Sequence, residues 1–582
     1  MTGLDWCVIV GYFAVLAAVV WFSSRKQDTT TDYFLAGRNI GWFAIGGSLF
    51  ASNIGSEHIV GLAGSGASQG LAMAHWEMHA WVMVMLAWVF VPFYYRSGVF
   101  TMPEFLERRF GSTARWILSL VSLTAYVFTK VSVTVYAGAI VFQTLLPDVQ
   151  MTIFGHVWGP FWIGALSTVV LTGVYTIFGG LRAVLYTDTA QAFILLIGSF
   201  AITYFGLKAL GGWGELQRIV QENAQNMSLW RPLVEPGSGI PWWKNPGFPW
   251  LGILIASPVI GIWYWCTDQY IVQRTLAAKD LQTSRRGALW GAFLKVWPVM
   301  IFLVPGMIGF ALHQKGLLHV PPKLAVVNGH ETVVAAIDGD KVFATMVTSL
   351  LPSGLRGMVV AGLLAALMSS LSSLFNSCAS LATVDIYEKI RPGRSERELV
   401  NVGRIVTGGI VILGIAWIPI MYKIAGGGLY KYLQSVQGYL APPMTAVFLL
   451  GLFWKRINSK GAVWGLGLGF GLGMAKLFIQ AFCGTMEPGK YTGIQFLNVI
   501  ADVNFLYASG ALFLISVAVV ILASLLSEPP PAEKIEGLTY STISAKDQEE
   551  YKAGIGAFDY ILTGGTLGLV LAMYLYFSFW LK

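Results

Sequence analysis

Long apolar stretches separated by short polar segments run along the whole chain. Because an α-helix needs roughly 20 apolar residues to cross the hydrocarbon core of a bilayer, the pattern predicts about fourteen helical spans. The ninth span is long enough to hold an extra short helix before its crossing. The chain is therefore predicted to be an all-α integral membrane protein, with spans at approximately 4–22, 40–67, 75–95, 116–145, 153–178, 184–207, 247–268, 287–312, 344–384, 403–422, 429–453, 461–480, 505–526 and 557–580.

The basic residues support this threading, because loops on the inner side of a membrane are enriched in Lys and Arg. Twenty-three Lys and Arg fall in alternate loops that begin with Arg25 and Lys26 and end with Lys552, whereas eleven fall in the opposite set, which ends with Lys582. This asymmetry predicts that both termini lie outside. We expect a multi-pass protein of a plasma membrane or a bacterial inner membrane.

The composition agrees with a chain that is solvated mainly by lipid. Of the 582 residues, 55% are hydrophobic and 12% are charged; the charged fraction is about half that of a soluble domain, which excludes a soluble enzyme. The net charge of +8 comes from the alternate loops, so we expect no nucleic-acid partner. The four cysteines are scattered and predict neither a disulfide framework nor a metal site. The first span follows no basic n-region, so it is predicted to be retained rather than cleaved.

The second span carries polar groups where lipid would surround an ordinary helix. Asn53, Glu57 and His58 follow two adjacent glycines and several serines, and such groups are costly in a membrane unless they line a cavity. Asn, Ser and Gly also favour a local break in the helix, which frees backbone carbonyls to coordinate a small cation. A helix interface made of small residues is the alternative interpretation.

The seventh span has a similar interruption. Ala256-Ser257-Pro258 lies midway along it, and Gly261 and the run Trp263–Gln269 follow. The seventh span comes five spans after the second, which is typical of secondary transporters built from two inverted repeats with the substrate between them. The hypothesis divides one polytopic domain into an extra span at 4–22, repeats at 40–207 and 247–454, an outer loop at 208–246, and further spans at 461–582 with a flexible cytoplasmic linker at 528–556.

Other polar residues within the spans are candidates for the same site. Glu77 and Lys295 are single charges on apolar helices, with a mutual structural ion pair as the alternative, and Gln434 could equally form a helix-to-helix hydrogen bond. A hydroxyl cluster occupies the ninth span, and it exceeds what back-bonding to the helix's own carbonyls explains. Neutral oxygen ligands of this kind suit Na⁺; the cluster consists of Ser369, Ser370, Ser372 and Ser373.

Two motifs of other protein classes are excluded. His75 and His79 would share a helix face that Glu77 does not, so no zinc site is expected there. The chain has no GxxxxGK[ST] sequence, which indicates an ion gradient rather than ATP as the energy source. No catalytic constellation is evident, and we expect a transporter rather than an enzyme.

Several motifs closely resemble those of the sodium/glucose cotransporters of the sodium:solute symporter family. The likeness runs from about residue 4 to 480 and implies a LeuT-type core of ten helices, the second to eleventh spans, which moves Na⁺ and sugar together by alternating access. The matching segments are 32–38, 48–64, 101–104, 186–191, 263–274, the serine cluster and 439–448.

The resemblance also implies ligands for both solutes. The main Na⁺ site would use the backbone carbonyls of Ala51, Ile54 and Ala366 with the hydroxyls of Ser369 and Ser370. A second Na⁺ site of some members would use Asp188, Ser372 and Ser373. Tyr264 would close the inner side of the sugar pocket, which would comprise Asn53, His58, Glu77, Tyr264, Trp265, Lys295 and Gln434.

Three positions depart from the animal glucose carriers and bear on the identity of the sugar. Gly261 replaces a threonine, Lys431 replaces an aspartate, and Glu57 stands where glycine is usual. We expect a Na⁺-driven hexose symporter, with glucose or galactose as leading substrates and Na⁺ as the co-transported ion. A symporter for myo-inositol or another sugar or polyol is the alternative, and a sugar-gated sensor or ion leak without coupled uptake is a rival from another class.

Overall fold

The computed structural model describes residues 1–582 except 24–26, 56, 154, 224–226, 236, 328–329, 425–428, 487–489 and 579–582. Three of the cations in the charge count, Arg25, Lys26 and Lys582, lie outside the described residues. The side chains of Glu57 and Lys431, two of the departing positions, also lie outside the described set. The described residues are predominantly helical, with two short hairpins and irregular loops.

The helices of the first half lie along the predicted spans, with additional short helices and one hairpin that the sequence did not predict. They are α1 (Gly3–Ser23), α2 (Thr30–Leu35), α3 (Trp42–Asn53), α4 (Ala63–Gln69), α5 (Ala74–Glu77), α6 (Ala80–Met85), α7 (Val91–Ser97), α8 (Met102–Phe110), α9 (Ser112–Ala125), α10 (Ser132–Leu145), β1 (Met151–Ile153), β2 (His156–Trp158), α11 (Pro160–Leu210) and α12 (Trp213–Glu222).

The second half has the same character. Its elements are α13 (Trp250–Ile262), α14 (Gln269–Leu276), α15 (Leu281–Lys295), α16 (Val304–Gln314), β3 (Lys323–Val327), β4 (His330–Ala335), α17 (Gly339–Leu350), α18 (Leu355–Ser380), α19 (Glu388–Ile390), α20 (Glu396–Ile424), α21 (Leu429–Phe453), α22 (Ser459–Phe482), α23 (Gln495–Asp502), α24 (Phe505–Leu525), α25 (Ala545–Ala553) and α26 (Ala557–Ser578).

Several α-helices are joined by a wider turn of π-helix instead of a loop. These turns matter for the site because they shift the direction of the side chains that follow. They lie at Glu57–Leu62, Leu86–Phe90, Tyr126–Val131, Trp263–Thr267, Val299–Leu303 and Leu381–Tyr387.

Twelve helices of the described residues are long and apolar enough to cross a membrane, so the count of fourteen is not confirmed. The two numbers differ at identifiable places. The 51 residues of α11 would extend for about 77 Å as one rod, but Gly180 interrupts them with φ 55° and ψ −167°, so this element contains two of the predicted spans. The second span is divided because α3 ends after 12 residues at Asn53.

The helices at the centre approach one another closely where they carry glycine or alanine. α3 packs against α15, α11 and α18. A Cβ added to Gly46 would lie 2.7 Å from the carbonyl oxygen of Gly287, and one added to Gly306 would lie 1.9 Å from that of Ala63. Small residues at such crossings allow the backbones to touch, which is how membrane helices gain contact without a hydrophobic driving force.

The first helix is attached to the core by a carboxylate. One oxygen of Asp5 accepts hydrogen bonds from the backbone N–H groups of Gly354 (2.8 Å) and Gly357 (3.0 Å). These donors belong to the first turn of α18, where a helix has no intrahelical partners for them. Asp5 therefore caps α18 from another helix.

The segment 528–556 is packed against the core, unlike the flexible linker that its composition favours. The guanidinium of Arg96 donates to the carbonyl of Asp547 (2.7 Å), and the ammonium of Lys534 donates to that of Glu107 (3.1 Å). The hydroxyl of Tyr551 donates to the carbonyl of Trp88 (2.9 Å). These contacts lie outside the repeating helix pattern, so periodicity could not reveal them.

Two antiparallel hairpins, β1–β2 and β3–β4, were not predicted. In the first, Met151 pairs with Trp158, and in the second, Val327 pairs with His330. Strands of this length give too few alternations to stand out beside apolar spans. They lie between membrane helices and do not alter the all-helical character of the fold.

A buried ion pair fastens the last helix, α26, to α15. Asp559 is fully buried and lies 3.3 Å from Arg285, which is also fully buried, and 2.7 Å from Arg286. Removing one partner of a buried pair leaves an uncompensated charge, which costs about 3–5 kcal/mol. We therefore expect Asp559→Ala to lower the apparent melting temperature of the detergent-purified protein by several degrees.

The control for this variant is Glu222→Ala. Glu222 pairs with Arg218 at the surface, where the two side chains are 58% and 54% exposed, so its loss should leave the melting temperature unchanged. Equal melting curves for Asp559→Ala and the unmodified protein would show that α26 is held by other contacts.

Candidate functional site

A cavity opens where α3 and the segment after α13 are interrupted. All seven residues assigned to the sugar pocket by resemblance line it. The sequence did not single out the other lining residues, which are Trp76, His79, Lys130, Thr134, Ile260, Tyr270, Leu374, Leu433 and Gln437.

The first interruption lies directly after Asn53. Ile54 leaves the helical region with φ −86° and ψ 80°, and the N–H of Gly55 donates to the carbonyl of Asn53 (3.1 Å), whereas a continuing helix would direct it at Ala51. The neighbouring carbonyl of Ser52 is reached from outside the helix, by the hydroxyls of Tyr270 and Ser370, the latter at 3.2 Å. The break thus leaves the carbonyl of Ser52 to donors from other elements, while the roles of the Ala51 and Ile54 carbonyls stay predictions.

Four of the assigned residues form one polar cluster at the centre of the cavity. The ammonium of Lys295 donates to Oδ1 of Asn53 (2.6 Å) and to Oε2 of Glu77 (2.5 Å). Nε2 of His58 lies 3.5 Å from Oε1 of Glu77. All four side chains are buried. The Glu77–Lys295 ion pair, weighed as a structural alternative, is present, and it also lines the cavity.

Aromatic side chains form a second wall. Tyr264 and Trp265 lie in the π-helical turn Trp263–Thr267, and the hydroxyl of Tyr264 accepts from Nδ2 of Asn53 (3.1 Å). The ammonium of Lys295 lies 5.6 Å from the centre of the Trp265 ring, a distance typical of a cation–π contact. These rings therefore touch the polar cluster directly.

Gln434 makes the helix-to-helix hydrogen bond that was its alternative interpretation. Its Oε1 accepts from Nε1 of Trp76, and both residues line the cavity. The bond joins α21 to α5, so Gln434 is a structural link between two helices that line the cavity.

The second helix break is not where the sequence predicted it. α13 continues through Pro258 to Ile262. The helical path ends at Asp268, ten residues after Pro258, with φ −79° and ψ 125°. A proline removes one backbone hydrogen bond, which packed membrane helices tolerate. The prediction of a break at 256–258 was therefore wrong in position.

Asp268 at the actual break is held by two donors that the sequence analysis did not assign. Its Oδ2 accepts from the ammonium of Lys130 (2.6 Å), and its Oδ1 accepts from the hydroxyl of Tyr126. Lys130 also lies 4.7 Å from the centre of the Tyr264 ring and 4.6 Å from that of Tyr270. The sequence signal that could have identified Lys130 was the same as for Lys295, namely a single cation within an apolar span.

A chain of hydroxyls links the serine cluster to Asp188. The carboxylate of Asp188 accepts from Ser369 (2.6 Å), Ser48 (2.6 Å) and Ser52 (2.9 Å). The hydroxyl of Ser52 lies 3.0 Å from that of Ser373. This chain connects α3, α11 and α18, which carry the residues assigned to both Na⁺ sites.

The residues assigned to the two Na⁺ sites are thus close together. Their hydrogen bonds, however, do not separate them into the two expected sets. Ala51 and Ile54 flank the break, and Ala366 lies one turn before Ser370 on α18. Ser369, assigned to the main site, bonds to Asp188 of the second site. Ser372 donates instead to the carbonyl of Ser369 (2.9 Å).

Arg274 is a further buried residue of this region that sequence reasoning missed. Its Nε donates to the hydroxyl of Ser48 (3.0 Å), its Nη2 donates to that of Ser373, and its guanidinium lies 3.8 Å from Asp188. It is the last residue of the recognisable run at 263–274, but charge at the end of a span is ordinarily interpreted as an interfacial anchor.

The histidines around Glu77 do not share a side as the helical periodicity suggested. Nε2 of His75 donates to the carbonyl of Leu229 (2.9 Å), whereas His79 and Glu77 both line the cavity. The reason is a turn at Met78 and His79 that separates α5 from α6. Among the described residues no group of three or more His, Cys, Asp and Glu side chains is arranged to hold a metal ion.

Comparisons with known proteins agree with this architecture. The sequence model of the sodium:solute symporter family matches residues 33–469. The chain is 40% identical over 553 residues to sodium/myo-inositol cotransporter 2 of Oryctolagus cuniculus, covering 92% of this chain and 79% of that protein. It is also 40% identical over 565 residues to sodium/glucose cotransporter 1 of the same organism, covering 94% and 82%.

A solved structure has the same fold. It is a Na⁺-coupled sialic acid symporter in a substrate-bound outward-open state, which superposes with a TM-score of 0.71 at 20% identity over 91% of this chain and 99% of that one. The predicted LeuT-like transporter fold is confirmed. The chain therefore belongs to the sodium:solute symporter family, and it is a Na⁺-coupled solute symporter and not an enzyme.

Proposed function

We propose that the protein couples Na⁺ influx to the uptake of a hexose, with glucose and galactose as the leading substrates. The observation that carries the proposal is the meeting of all seven assigned sugar ligands in one buried cavity. The names of two relatives, a sodium/glucose and a sodium/myo-inositol cotransporter, support a polyhydroxylated solute.

The chemistry of the cavity suits a neutral polyol. Glu77 is paired with Lys295, and Asp268 with Lys130, so the charges of the wall are balanced and attract neither an anion nor a cation. Each sugar hydroxyl can donate to a carboxylate or amide oxygen and accept from an ammonium or amide N–H. The rings of Tyr264 and Trp265 cover the apolar C–H face of such a solute.

Coupling follows from the short path between the two sets of ligands. Na⁺ bound by the carbonyls of Ala51 and Ile54 and the α18 residues Ala366, Ser369 and Ser370 fastens the broken α3 to α18. Asn53 lies between those two carbonyls in the chain, so the ion also fixes a sugar ligand. By linkage, each solute then strengthens the binding of the other by the same factor.

A second Na⁺ can bind at Asp188, with Ser372 and Ser373. Asp188 is fully buried and supplies the negative charge, while the two hydroxyls turn from their present partners towards the ion. Two ions per sugar is therefore part of the proposal. Arg274, at 3.8 Å from Asp188, compensates the carboxylate when the ion has left.

We propose the orientation of the chain in the membrane and its two inverted repeats from the contacts between loop segments. Segments assigned to the inside touch each other, as Arg96 touches Asp547, and segments assigned to the outside do likewise, as Lys244 touches Asp502 at 2.8 Å. Both termini then lie outside. The breaks at Ile54 and Asp268 lie in the proposed repeats at 40–207 and 247–454.

Myo-inositol is the second candidate because the two relatives are equally similar to this chain. Purified protein in liposomes should accumulate one labelled solute of a hexose and polyol panel only with an inward Na⁺ gradient. Accumulation of myo-inositol alone would select the second candidate. Na⁺ current without accumulation would identify a sugar-gated leak, and no sugar-dependent signal would refute the proposal.

Ser370→Ala should raise the Na⁺ concentration for half-maximal uptake about tenfold. The variant removes one of two hydroxyl ligands of the main site, while the sugar cavity keeps its lining. Uptake measured against Na⁺ concentration tests it, with Ser380→Ala as control, a buried serine about three turns later on the same helix. An unchanged Na⁺ dependence in Ser370→Ala would remove Ser370 from the site.

Gln434→Ala and Lys295→Ala should each raise the KM for the sugar about tenfold, because a buried hydrogen bond left unmade costs about 1–3 kcal/mol. Lys295→Ala also removes the ion-pair partner of Glu77, which could impair folding as well as sugar affinity. The double variant Glu77→Gln with Lys295→Met removes both charges together, so it distinguishes an effect on sugar affinity from an effect on folding. Gln480→Ala is the control, since Gln480 bonds to Lys476 outside the cavity (3.0 Å). An unaltered KM in Gln434→Ala would contradict its assignment.

A further inference from the structure

His79 is a cavity residue to which neither the resemblance nor the proposed mechanism gives a role. It is buried, with 4% of its surface exposed, and it lines the same cavity as Glu77 and Trp76. Residues two apart on a regular helix point to different sides. His79 and Glu77 nevertheless share the cavity because a turn at Met78 and His79 separates α5 from α6.

The imidazole is fixed from one side by α13. Its Nε2 lies 2.6 Å from the hydroxyl of Ser257, and Gly261 follows Ser257 by one helical turn. The ring therefore lies along one face of α13, between these two residues. The same ring lines the cavity, so it is held by the protein through Nε2 at a place where a bound solute can reach it.

Gly261 makes this placement possible. A Cβ at position 261 would lie 3.1 Å from both Cε1 and Nε2 of His79 and 3.2 Å from Nδ1, which leaves room for no larger group while the ring stays in place. Threonine, the residue that Gly261 replaces, would compete with the imidazole for the same space. The departure at position 261 and the histidine at position 79 are therefore one structural feature.

We propose that His79 binds a hydroxyl of the transported solute and determines which hydroxyl configuration the cavity accepts, with Gly261 providing the space for its ring. An imidazole nitrogen can accept from a hydroxyl or donate to it, depending on the tautomer. A buried group of this kind discriminates strongly against an analogue that lacks the matching hydroxyl. This inference rests on the proposed function, since it takes the cavity as the solute site.

The test compares selectivity, not uptake alone. For pairs of solutes that differ at one hydroxyl, kcat/KM is measured in liposomes for the unmodified protein, His79→Phe and His79→Gln. His79→Phe keeps the ring and removes its nitrogens, and it should reduce the preference for one hydroxyl about tenfold without altering the Na⁺ concentration for half-maximal uptake. His79→Gln retains a polar group and should restore part of the preference.

His75→Ala is the matched control. His75 lies one turn earlier and is equally buried, but it faces Leu229 and Tyr574. The variant His75→Ala should change each selectivity ratio by less than about twofold relative to the unmodified protein. If His79→Phe lowers the uptake of all solutes by the same factor, its role is structural and the proposal is overturned.

A double-mutant cycle tests the shared space. Gly261→Thr should displace the imidazole and shift the same ratio as His79→Ala, and the double variant should be no worse than Gly261→Thr alone, because contacting residues are not additive. If the effects of the two substitutions on the selectivity ratio multiply, the proposed contact between Gly261 and His79 is overturned. If the unmodified protein accumulates no hexose or polyol, the proposed substrate class fails, and the ratios for His79 are measured on analogues of the Na⁺-driven solute it does accumulate.

Discussion

The end of α3 at Asn53 is the constraint on which the proposed ion and solute sites both depend. A helix that stops inside a membrane protein leaves backbone groups without partners, and each is costly unless another element supplies one. Here the carbonyl of Ser52 receives the hydroxyls of Tyr270 and Ser370, from α14 and α18. The break is therefore stable only when these elements are packed around it. The same requirement places the serines of α18 beside the exposed carbonyls.

The charges of the region follow from the low polarity of their surroundings. Glu77, Asp268 and Asp188 are all buried, and each has a basic group within 4 Å. Burying an ion costs several kcal/mol, so a single unpaired carboxylate would not be stable there. Pairing leaves the solute cavity neutral overall and rich in donors and acceptors. A neutral solute with many hydroxyls can exchange hydrogen bonds with such a wall without leaving a charge uncompensated.

The sequence was sufficient for the fold class and for the break after Asn53, because polar groups within an apolar span are costly unless they line a cavity. It was insufficient where local geometry departs from the regular helix. The sequence analysis placed the second break at Pro258. A proline can remain within a packed helix, however, and the actual break is at Asp268. The turn at Met78 and His79 likewise reversed the expected side of His79. A period of 3.6 residues cannot anticipate a π-helical turn or a two-residue interruption, and both occur at the cavity.

The two helix breaks are joined directly, which gives coupling a short physical route. Tyr270 of α14 follows the break at Asp268 and donates to the carbonyl of Ser52, one residue before Asn53. The hydroxyl of Ser52 in turn donates to Asp188. Under the proposed assignment, a change at the Na⁺ ligands acts on the backbone that also carries Asn53, without a long chain of intermediate contacts. Since both breaks share this bond, a displacement of the backbone at one break acts directly on the other.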